Sequence, residues 1–229
     1  MPLRGISLII PALNEAEAVG PALRGLPWHI LAECIVVDNG STDETANVAK
    51  SNGARVVVEP RRGYGRACHS GALAADRGSE VLAFMDGDGS DIPADLVRLA
   101  APVLAGEADF AIGSRMRGTR APGSMLHSQI FAAWLAGTLI HWRLGVKYTD
   151  MGPMRVISRS AFEKMQMSEM TYGWNIEMQV RAAQLGLRIQ ELPAGCRKRL
   201  GGTSKVSGSL TASAKAAARI LRVLLRLTR

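Results

Sequence analysis

The sequence is poor in cysteine and in aromatic residues, and each shortage excludes a class of protein. The chain of 229 residues has three cysteines, Cys34, Cys68 and Cys196, which lie far apart and form no Cys-x-x-Cys pair. A disulfide framework or a zinc site is therefore not expected, and a reducing compartment fits this cysteine usage. Aromatic residues make up 5% of the chain, and no basic patch contains interleaved aromatics, which argues against nucleic-acid binding.

Long apolar runs are also missing. The longest, at residues 130–140, is shorter than the roughly 18 residues that a membrane-spanning helix needs. Residues 1–10 lead directly into a short apolar segment without the pattern of a secretory signal, so we predict a cytoplasmic protein. The net charge is nonetheless +8. Such an excess of positive charge indicates an anionic partner, such as nucleotide phosphates or lipid head groups.

The first half of the chain alternates short apolar segments with segments of helical pattern. The apolar segments predict strands at residues 6–10, 33–37, 55–59, 81–85 and 109–113. Helices are predicted between them, at residues 14–24, 64–76 and 93–104 and after a cap at Asp43. This rhythm is typical of an α/β domain with a mostly parallel central sheet flanked by helices.

The second half is less regular, and it has no linker long enough to separate two domains. Helices are predicted at residues 125–144, with a break at Gly137, and at 160–165 and 174–184, and strands at 154–157 and 187–192. A glycine- and serine-rich loop at 197–209 precedes a final helix at 210–229.

The final helix carries a stripe of cations spaced three or four residues apart. These cations are Lys215, Arg219, Arg222, Arg226 and Arg229. A basic amphipathic helix is typical of binding to a membrane surface. The alternative is a helix that packs on the domain and keeps its cations in water.

Carboxylates follow the fourth predicted strand, where it runs into a turn built with glycine. Asp86 and Asp88 flank Gly87, and Asp91 follows three residues later. Ligands of open parallel sheets bind beyond the carboxyl ends of the strands. Two hard oxygen donors on a tight turn suit Mg²⁺ or Mn²⁺ holding a diphosphate. An ordinary polar turn, with Asp91 as the cap of the next helix, is the alternative interpretation.

Two other predicted strands end in residues suited to a nucleotide base. Pro11 and Ala12 follow the first strand and are candidates for a wall against a flat ring. Glu15 and Asp38 are candidates for accepting the N–H groups of that ring. In a doubly wound sheet these strand ends lie side by side, so we expect one shared site.

A third candidate segment follows the strand at 55–59. Gly63 and Gly65 permit a close approach of the backbone, and Arg66 lies in the same turn. The helix that follows is expected to direct its N-terminus towards a bound phosphate. The segment resembles a dinucleotide-binding fingerprint but lacks the third glycine, so NAD is not expected.

These segments, taken together and in order, resemble the family 2 glycosyltransferases. Within that family they are similar to the branch of dolichyl- or polyprenyl-phosphate mannose or glucose synthases. The matching segments are 11–15, 36–43, 85–88, 113–115, 150–155, 174–179 and 199–205. The resemblance implies a single nucleotide-diphosphate-sugar transferase domain of the A type at 1–209. Its nucleotide-sugar-binding half is 1–115 and its acceptor half is 116–209, followed by the basic helix at 210–229.

The resemblance also implies roles for individual residues. It places a divalent metal, Mg²⁺ or Mn²⁺, on Asp86 and Asp88. It implies nucleotide-sugar recognition by Pro11, Ala12, Glu15, Asp38, Gly63, Arg66, Asp86 and Gly87. Synthases of this branch commonly have a Gln at the position of Ser90, so Ser90 and Asp91 are candidates for a further metal contact. They also have an Arg that holds the lipid phosphate in the segment matching 123–130, where this chain has none.

Three acidic residues form the predicted catalytic set. Asp150 and Glu177 are candidates for a general base or for positioning the sugar, and Asp88 joins them. A hydroxyl acceptor needs such a base, whereas a phosphate acceptor is already an anion.

Three cations are predicted to bind phosphate. Arg115 follows the fifth strand at the same edge of the sheet, where it can hold a phosphate through two hydrogen bonds. Arg199 and Lys205 lie in a glycine-flanked loop, which we expect to close over the diphosphate when the donor binds.

The predicted function is inverting transfer of a hexose from a UDP- or GDP-sugar, with a divalent metal. The candidate acceptor is a polyprenyl phosphate at the cytoplasmic face of a membrane, which the C-terminal helix would contact. One alternative is a non-catalytic, membrane-associated protein that binds nucleotide sugars. Another is a sugar-1-phosphate nucleotidyltransferase, although the loop at 11–15 is acidic and lacks the glycines typical of that class.

Overall fold

The protein is an alternating sequence of strands and helices. The computed structural model describes residues 5–201 and, near the C-terminus, residues 218, 222–224, 226 and 227. The strands are β1 (Ile6–Ala12), β2 (Leu31–Asp38), β3 (Arg55–Val58), β4 (Val81–Phe84), β5 (Phe110–Ser114), β6 (Arg155–Ser158) and β7 (Ile189–Pro193). The helices are α1 (Ala16–Arg24), α2 (Thr45–Ser51), α3 (Tyr64–Ala74), α4 (Asp95–Leu104), α5 (His127–Leu144), α6 (Arg159–Met165) and α7 (Trp174–Gln184).

The strands form one seven-stranded sheet in the order β3-β2-β1-β4-β6-β5-β7. Only β6 runs against its neighbours: it pairs antiparallel with β4 and β5, while the other pairs are parallel. The predicted α/β fold with a mostly parallel sheet is confirmed. The reversed direction of β6 was not predicted, because periodicity shows that a segment is extended but not which way it runs.

Helices cover both faces of the sheet and create two apolar cores. In β1, Ile9 belongs to the core under α3 and α5–α7, whereas Leu8 and Ile10 belong to the core under α1, α2 and α4. All seven residues of β1 are buried, as is typical of a strand covered on both faces. Helix α3 packs directly on the sheet, because a Cβ on Gly71 would lie 2.4 Å from Ile9 Cγ2.

Three predicted helix features are wrong. Helix α1 begins at Ala16 rather than at 14, since Asn14 has a left-handed backbone with φ of 51°. Helix α4 begins at Asp95, and Asp91 is not its cap. Helix α5 is unbroken at Gly137. That glycine permits close packing instead, because a Cβ there would lie 2.2 Å from the carbonyl oxygen of Tyr148.

The predicted C-terminal helix lies mainly outside the described residues, and so do three of its five predicted cations. The described residues near the C-terminus are helical. Val223 and Leu224 are buried in the core that contains Trp174, while Arg222 and Arg226 are exposed. Within the described part of the chain, no helix combines the length and apolarity needed to cross a bilayer.

Candidate active site

A cavity of about 900 Å³ opens beyond the carboxyl ends of β1, β2 and β4. Its position follows from strand register, since Ala12 pairs with Asp38 and Asp38 pairs with Val58 at one edge of the sheet. Predicted site residues that line the cavity are Pro11, Ala12, Glu15, Gly63, Asp86, Gly87, Asp88, Ser90, Arg115 and Arg199. The sequence therefore located the cavity and much of its wall.

The turn after β4 brings three carboxylates together. The Asp86 backbone N–H donates to Asp91 Oδ2 at 3.1 Å, and the Ser90 N–H donates to Asp88 Oδ1 at 2.8 Å. The hydroxyl of Tyr64 donates to Asp86 Oδ1 at 2.9 Å. Asp91 thus lies beneath the turn and organises it, while Ser90 lines the cavity.

Burial and mutual repulsion disfavour the charged forms of two of these carboxylates. Burial and the charge of Asp88 raise the pKa of Asp86 to about 6. Burial, together with the charges of Asp86 and Asp88, raises the pKa of Asp91 well above its ordinary value. Clustered carboxylates in a desolvated turn favour an added cation.

Arg199 is the cation that the protein itself supplies to this turn. Its guanidinium donates to Asp88 Oδ2 and to Glu15 Oε1, both at 2.7 Å. Both carboxylate oxygens of Asp88 therefore accept a hydrogen bond: Oδ1 from the Ser90 N–H and Oδ2 from Arg199. The phosphate-binding role of Arg199 stays a prediction; in this structure its guanidinium bridges the two acidic residues.

The segment at 196–200 holds Arg199 in this position by running along the carboxylate turn. The Arg197 N–H donates to the carbonyl oxygen of Ser90 at 2.9 Å, and the Leu200 N–H donates to that of Asp88 at 3.1 Å. Gly89 has φ of 71°, and a Cβ there would lie 2.6 Å from Leu200 Cδ1. Gly89 thus supplies both the left-handed turn and the room for this segment. Lys205 lies outside the described residues.

At the end of the cavity next to β2 and β3, Asn39 rather than the predicted Asp38 lines the wall. Asp38 ends β2, and its Oδ1 accepts a hydrogen bond from the Ser41 N–H at 2.9 Å. Asn39 lines the cavity, donates to the carbonyl oxygens of Glu59 and Arg61, and accepts from the Gly63 N–H at 2.8 Å. Asn39 therefore joins the ends of β2 and β3.

Gly63 and Gly65, at the start of α3, permit a close approach of the protein backbone, and Gly63 also lines the cavity. A Cβ on Gly63 or Gly65 would lie 2.3 Å from the carbonyl oxygens of Met170 and Glu169 respectively. The backbone N–H groups of Gly65 and Arg66 donate to the carbonyls of residues 171 and 170. The α3 N-terminus is therefore capped by protein, and Arg66 does not line the cavity.

Arg115 lines the cavity and is held there by Asp150. Its Nε and Nη2 donate to the two carboxylate oxygens of Asp150 at 2.7 and 2.9 Å, and its backbone N–H donates at 2.9 Å. Burial opposes charge on Asp150, but the hydrogen bonds from Arg115 hold its pKa below the ordinary value. Asp150 is 1% exposed and does not line the cavity, so it positions Arg115 rather than contacting ligand.

Glu177 is likewise buried away from the cavity. It is fully buried in α7, and it accepts hydrogen bonds from the Ser168 N–H and Oγ, the Glu169 N–H and Arg181 Nε. The structure does not bring Glu177 to the cavity wall, whereas its predicted role was that of a general base or of a residue that positions the sugar. Its contacts fix the 168–171 loop that caps α3.

Several residues of the cavity were not identified from the sequence. They are Leu13, Asn39, Arg62, Tyr64, Ala67, Gly123, Ser124, Leu126, Gln129, Tyr172, Asn175, Cys196 and Lys198. The position of Asn39 directly after β2 could have signalled it, whereas nothing local marks Tyr172 or Asn175. Asn175 is placed by buried Arg155, whose Nη1 donates to its carbonyl oxygen at 2.7 Å.

The carboxylate oxygens in the cavity wall fit a divalent ion whose remaining ligands are substrate phosphates and water. Within the described residues, no cluster of three or more His, Cys, Asp or Glu side chains forms a ready metal centre. Asp86 and Asp88 both face the cavity. Mg²⁺ and Mn²⁺ are commonly held by one or two carboxylates together with substrate phosphates and water.

A mostly parallel α/β sheet, a nucleotide-sized cavity at its carboxyl edge and paired carboxylates at that edge define a class of nucleotide-dependent transferases. The chain matches the family described as glycosyl transferase family 2 over residues 7–166, which is more than half of its length. It therefore belongs to that family and is a glycosyltransferase.

Relatives agree with this assignment. An uncharacterized glycosyltransferase of Mycobacterium tuberculosis is 41% identical over 215 residues, covering 91% of this chain and 92% of the relative. Polyprenol monophosphomannose synthase of Mycolicibacterium smegmatis is 34% identical over an alignment of 226 residues, covering 91% and 83%.

A solved structure shares the fold. Glucosyl-3-phosphoglycerate synthase from Mycobacterium tuberculosis, crystallised with Mn²⁺, UDP-glucose and phosphoglyceric acid, has a TM-score of 0.77 at 23% identity. The match covers 98% of this chain and 80% of that one.

Proposed function

We propose that this glycosyltransferase moves a hexose from a UDP- or GDP-sugar to a phosphate group, with inversion at the sugar carbon and with Mg²⁺ or Mn²⁺. We further propose that the acceptor is a polyprenyl phosphate at a membrane surface. The observation that carries this proposal is the charge of the cavity wall. The described residues that line it include the carboxylates Glu15, Asp86 and Asp88 and the cations Arg62, Arg115, Lys198 and Arg199.

The donor is assigned to the end of the cavity formed by β1, β2 and β4. Pro11 and Ala12 offer a wall to the base, and Asn39 and Glu15 offer polar groups to it. Asp86 and Asp88 are then the residues that would hold the metal on the diphosphate. The crystallised relative in fold, with Mn²⁺ and UDP-glucose, supports this arrangement.

The reaction is an in-line displacement. A bond forms between an acceptor oxygen and the sugar carbon, and the bond from that carbon to the donor phosphate breaks, leaving its electron pair on the diphosphate. A bound divalent ion offsets the charge on that leaving group. Arg199, once released from Glu15 and Asp88, is within the same wall and neutralises further charge, and Lys205 is proposed to assist it.

A phosphate acceptor is favoured because the cavity offers no spare base. A hydroxyl acceptor needs a general base within hydrogen-bond reach. Among the described residues that line the cavity there is no histidine, and the three carboxylates are assigned to the metal or to Arg199. Residues 197–229 contain no Asp, Glu or His either. An acceptor that is already an anion needs no base, and Arg115 and Lys198 suit its charge.

The first experiment identifies the donor. UDP, GDP and CDP and their common hexose conjugates are tested for thermal stabilisation, each with and without Mn²⁺, since a ligand that binds only the native state raises the melting temperature. We expect one diphosphate to stabilise the protein in a metal-dependent manner.

The second experiment identifies the acceptor. The stabilising donor is incubated with undecaprenyl phosphate or with 3-phosphoglycerate, which offers a hydroxyl group, and nucleotide release and the product anomer are measured. Transfer to phosphoglycerate alone, with the sugar attached to its hydroxyl oxygen and not to its phosphate, would refute the phosphate acceptor. Donor binding without turnover on either acceptor would support the non-catalytic alternative. Formation of nucleotide sugar from a nucleoside triphosphate would support the nucleotidyltransferase.

A further inference from the structure

Helix α5 presents large apolar side chains to solvent. Phe131, Trp134, Leu135 and Trp142 are 60%, 59%, 38% and 73% exposed. We name these four residues the α5 aromatic face. At about 100° of rotation per residue they fall on one side of the helix, within an arc of roughly 100°. The rings of Phe131 and Trp134 are in contact, with centroids 5.8 Å apart.

The opposite side of α5 is made of smaller residues that pack on the domain. Ala133, Ala136, Gly137 and Ile140 are its buried residues. At Gly137 the helix lies so close to the Tyr148 carbonyl that any side chain there would clash with it. An ordinary surface helix has its large apolar residues inside and polar residues outside. An apolar patch exposed in this way marks an interaction surface.

The surroundings of the α5 aromatic face are positively charged. Residues 110–149 contain no Asp or Glu, and they contain five cations. Arg120, Arg143 and Lys147 are exposed, and the Arg143 guanidinium lies 4.8 Å from the centre of the Trp142 ring. Exposed tryptophan and phenylalanine that are flanked by cations along the chain complement an anionic lipid surface.

The N-terminal end of helix α5, which carries the α5 aromatic face, lies at the cavity. Leu126 and Gln129, at the start of α5, both line the cavity, and Leu126 is 47% exposed. From Phe131 to Trp142 the face extends about 17 Å along the helix. A surface that contacts this face therefore lies beside the route into the cavity.

We propose that the α5 aromatic face binds the surface of an anionic lipid bilayer and so places the cavity opening at the membrane. In the C-terminal segment, Val223 and Leu224 are each 2% exposed and belong to the core. These two apolar side chains therefore pack inside the protein and do not face a membrane. Membrane binding itself is independent of the proposed function. Its consequence, delivery of a lipid-linked acceptor to the cavity, rests on that function.

The test is binding of the full chain to vesicles without donor or metal. Vesicles of phosphatidylcholine, with or without phosphatidylglycerol, are sedimented with wild type and with the double variant Trp134→Ser/Trp142→Ser. We expect wild type to bind the anionic vesicles and the double variant to bind about tenfold less. A matched control is Leu73→Ser, because Leu73 on α3 is 74% exposed and lies outside this face; it should bind as wild type does.

A third variant, Arg222→Gln/Arg226→Gln, separates the α5 aromatic face from the C-terminal helix. Loss of binding in this variant but not in the Trp134/Trp142 variant would overturn the proposal. So would the absence of vesicle binding by wild type, or a stable wild-type dimer in solution that the Trp134/Trp142 substitutions dissociate. Equal melting temperatures and equal donor binding establish that the variants fold. Vesicle binding without lipid-phosphate transfer would refute the proposed acceptor and leave this proposal intact.

Discussion

Two groups of buried or half-buried carboxylates in this molecule have opposite electrostatic surroundings. In the turn after β4, Asp86, Asp88 and Asp91 lie close to one another, and the pKa values of Asp86 and Asp91 are raised. In the second half, Asp150 and Glu177 each pair with an arginine and accept backbone N–H groups. The first group is incomplete without an added cation, whereas the second is complete as folded. Burial of a carboxylate is therefore not by itself a sign of catalysis.

The largest expected effect comes from removing a carboxylate of the first group. Asp86→Ala should reduce transfer at least about 1,000-fold, because the leaving diphosphate loses its metal. The readout is nucleotide diphosphate release at saturating donor and Mn²⁺. The matched control is Asp109→Ala, whose carboxylate lies before β5 at the opposite edge of the sheet and pairs with exposed Arg188. An active Asp86→Ala enzyme would remove the metal assignment.

Removal of a carboxylate of the second group should lower the stability of the protein. Asp150→Ala leaves Arg115 without its partner in a site where the two side chains are 18% and 0% exposed. Loss of the Asp150 carboxylate should lower the free energy of unfolding by about 3 kcal/mol, measured by urea denaturation. Asp109→Ala removes a more exposed ion pair and should cost less than about 1 kcal/mol. Equal losses in the two variants would contradict the structural role of Asp150.

The pH dependence of stability sharpens the comparison. The folded pKa of Asp86 is raised to about 6, so its stability contribution is complete below its ordinary pKa and is lost as pH rises through 6. Without metal, Asp86→Asn should therefore melt about 6–12 °C above wild type at pH 8. The difference should vanish below about pH 4. The stability contribution of Asp150 depends on pH in the opposite direction. Its folded pKa is lowered, so its contribution is lost as the solution becomes acidic.

Differential scanning fluorimetry from pH 4 to 8 checks this prediction. Mn²⁺ should raise the melting temperature of wild type and leave that of Asp86→Asn unchanged. If wild type is the more stable protein at pH 8 without metal, the carboxylates of the turn are not in mutual repulsion.

The smallest expected effect concerns Arg199, the internal cation of the first group. Metal and Arg199 compete for Asp88, so Arg199→Gln should tighten Mn²⁺ binding about threefold when donor is absent. Titration calorimetry or the electron paramagnetic resonance signal of free Mn²⁺ measures this. Arg197→Gln is the control, because Arg197 donates to the carbonyl oxygen of Gly89 and not to a carboxylate. Weaker Mn²⁺ binding by Arg199→Gln would contradict competition.

Local pattern was enough to predict the fold and several residues of the cavity wall. Short apolar strands alternating with helices predicted the α/β sheet. Pro11, Ala12, Asp86 and Asp88 were found because they stand at the ends of parallel strands, where the direction of the chain places them at one edge. The glycines near them marked tight turns for the same local reason.

The sequence by itself determined which residues follow the strands, since strand ends, turns and helix periods depend on neighbours in the chain. Only the tertiary structure decided which charges meet. Arg199 is 111 residues from Asp88 and 184 from Glu15, and Arg115 is 35 residues from Asp150. No periodicity extends over such separations. Whether a carboxylate serves a metal, an arginine or a backbone turn depends on the elements that fold against it, and so does the outward orientation of the α5 aromatic face.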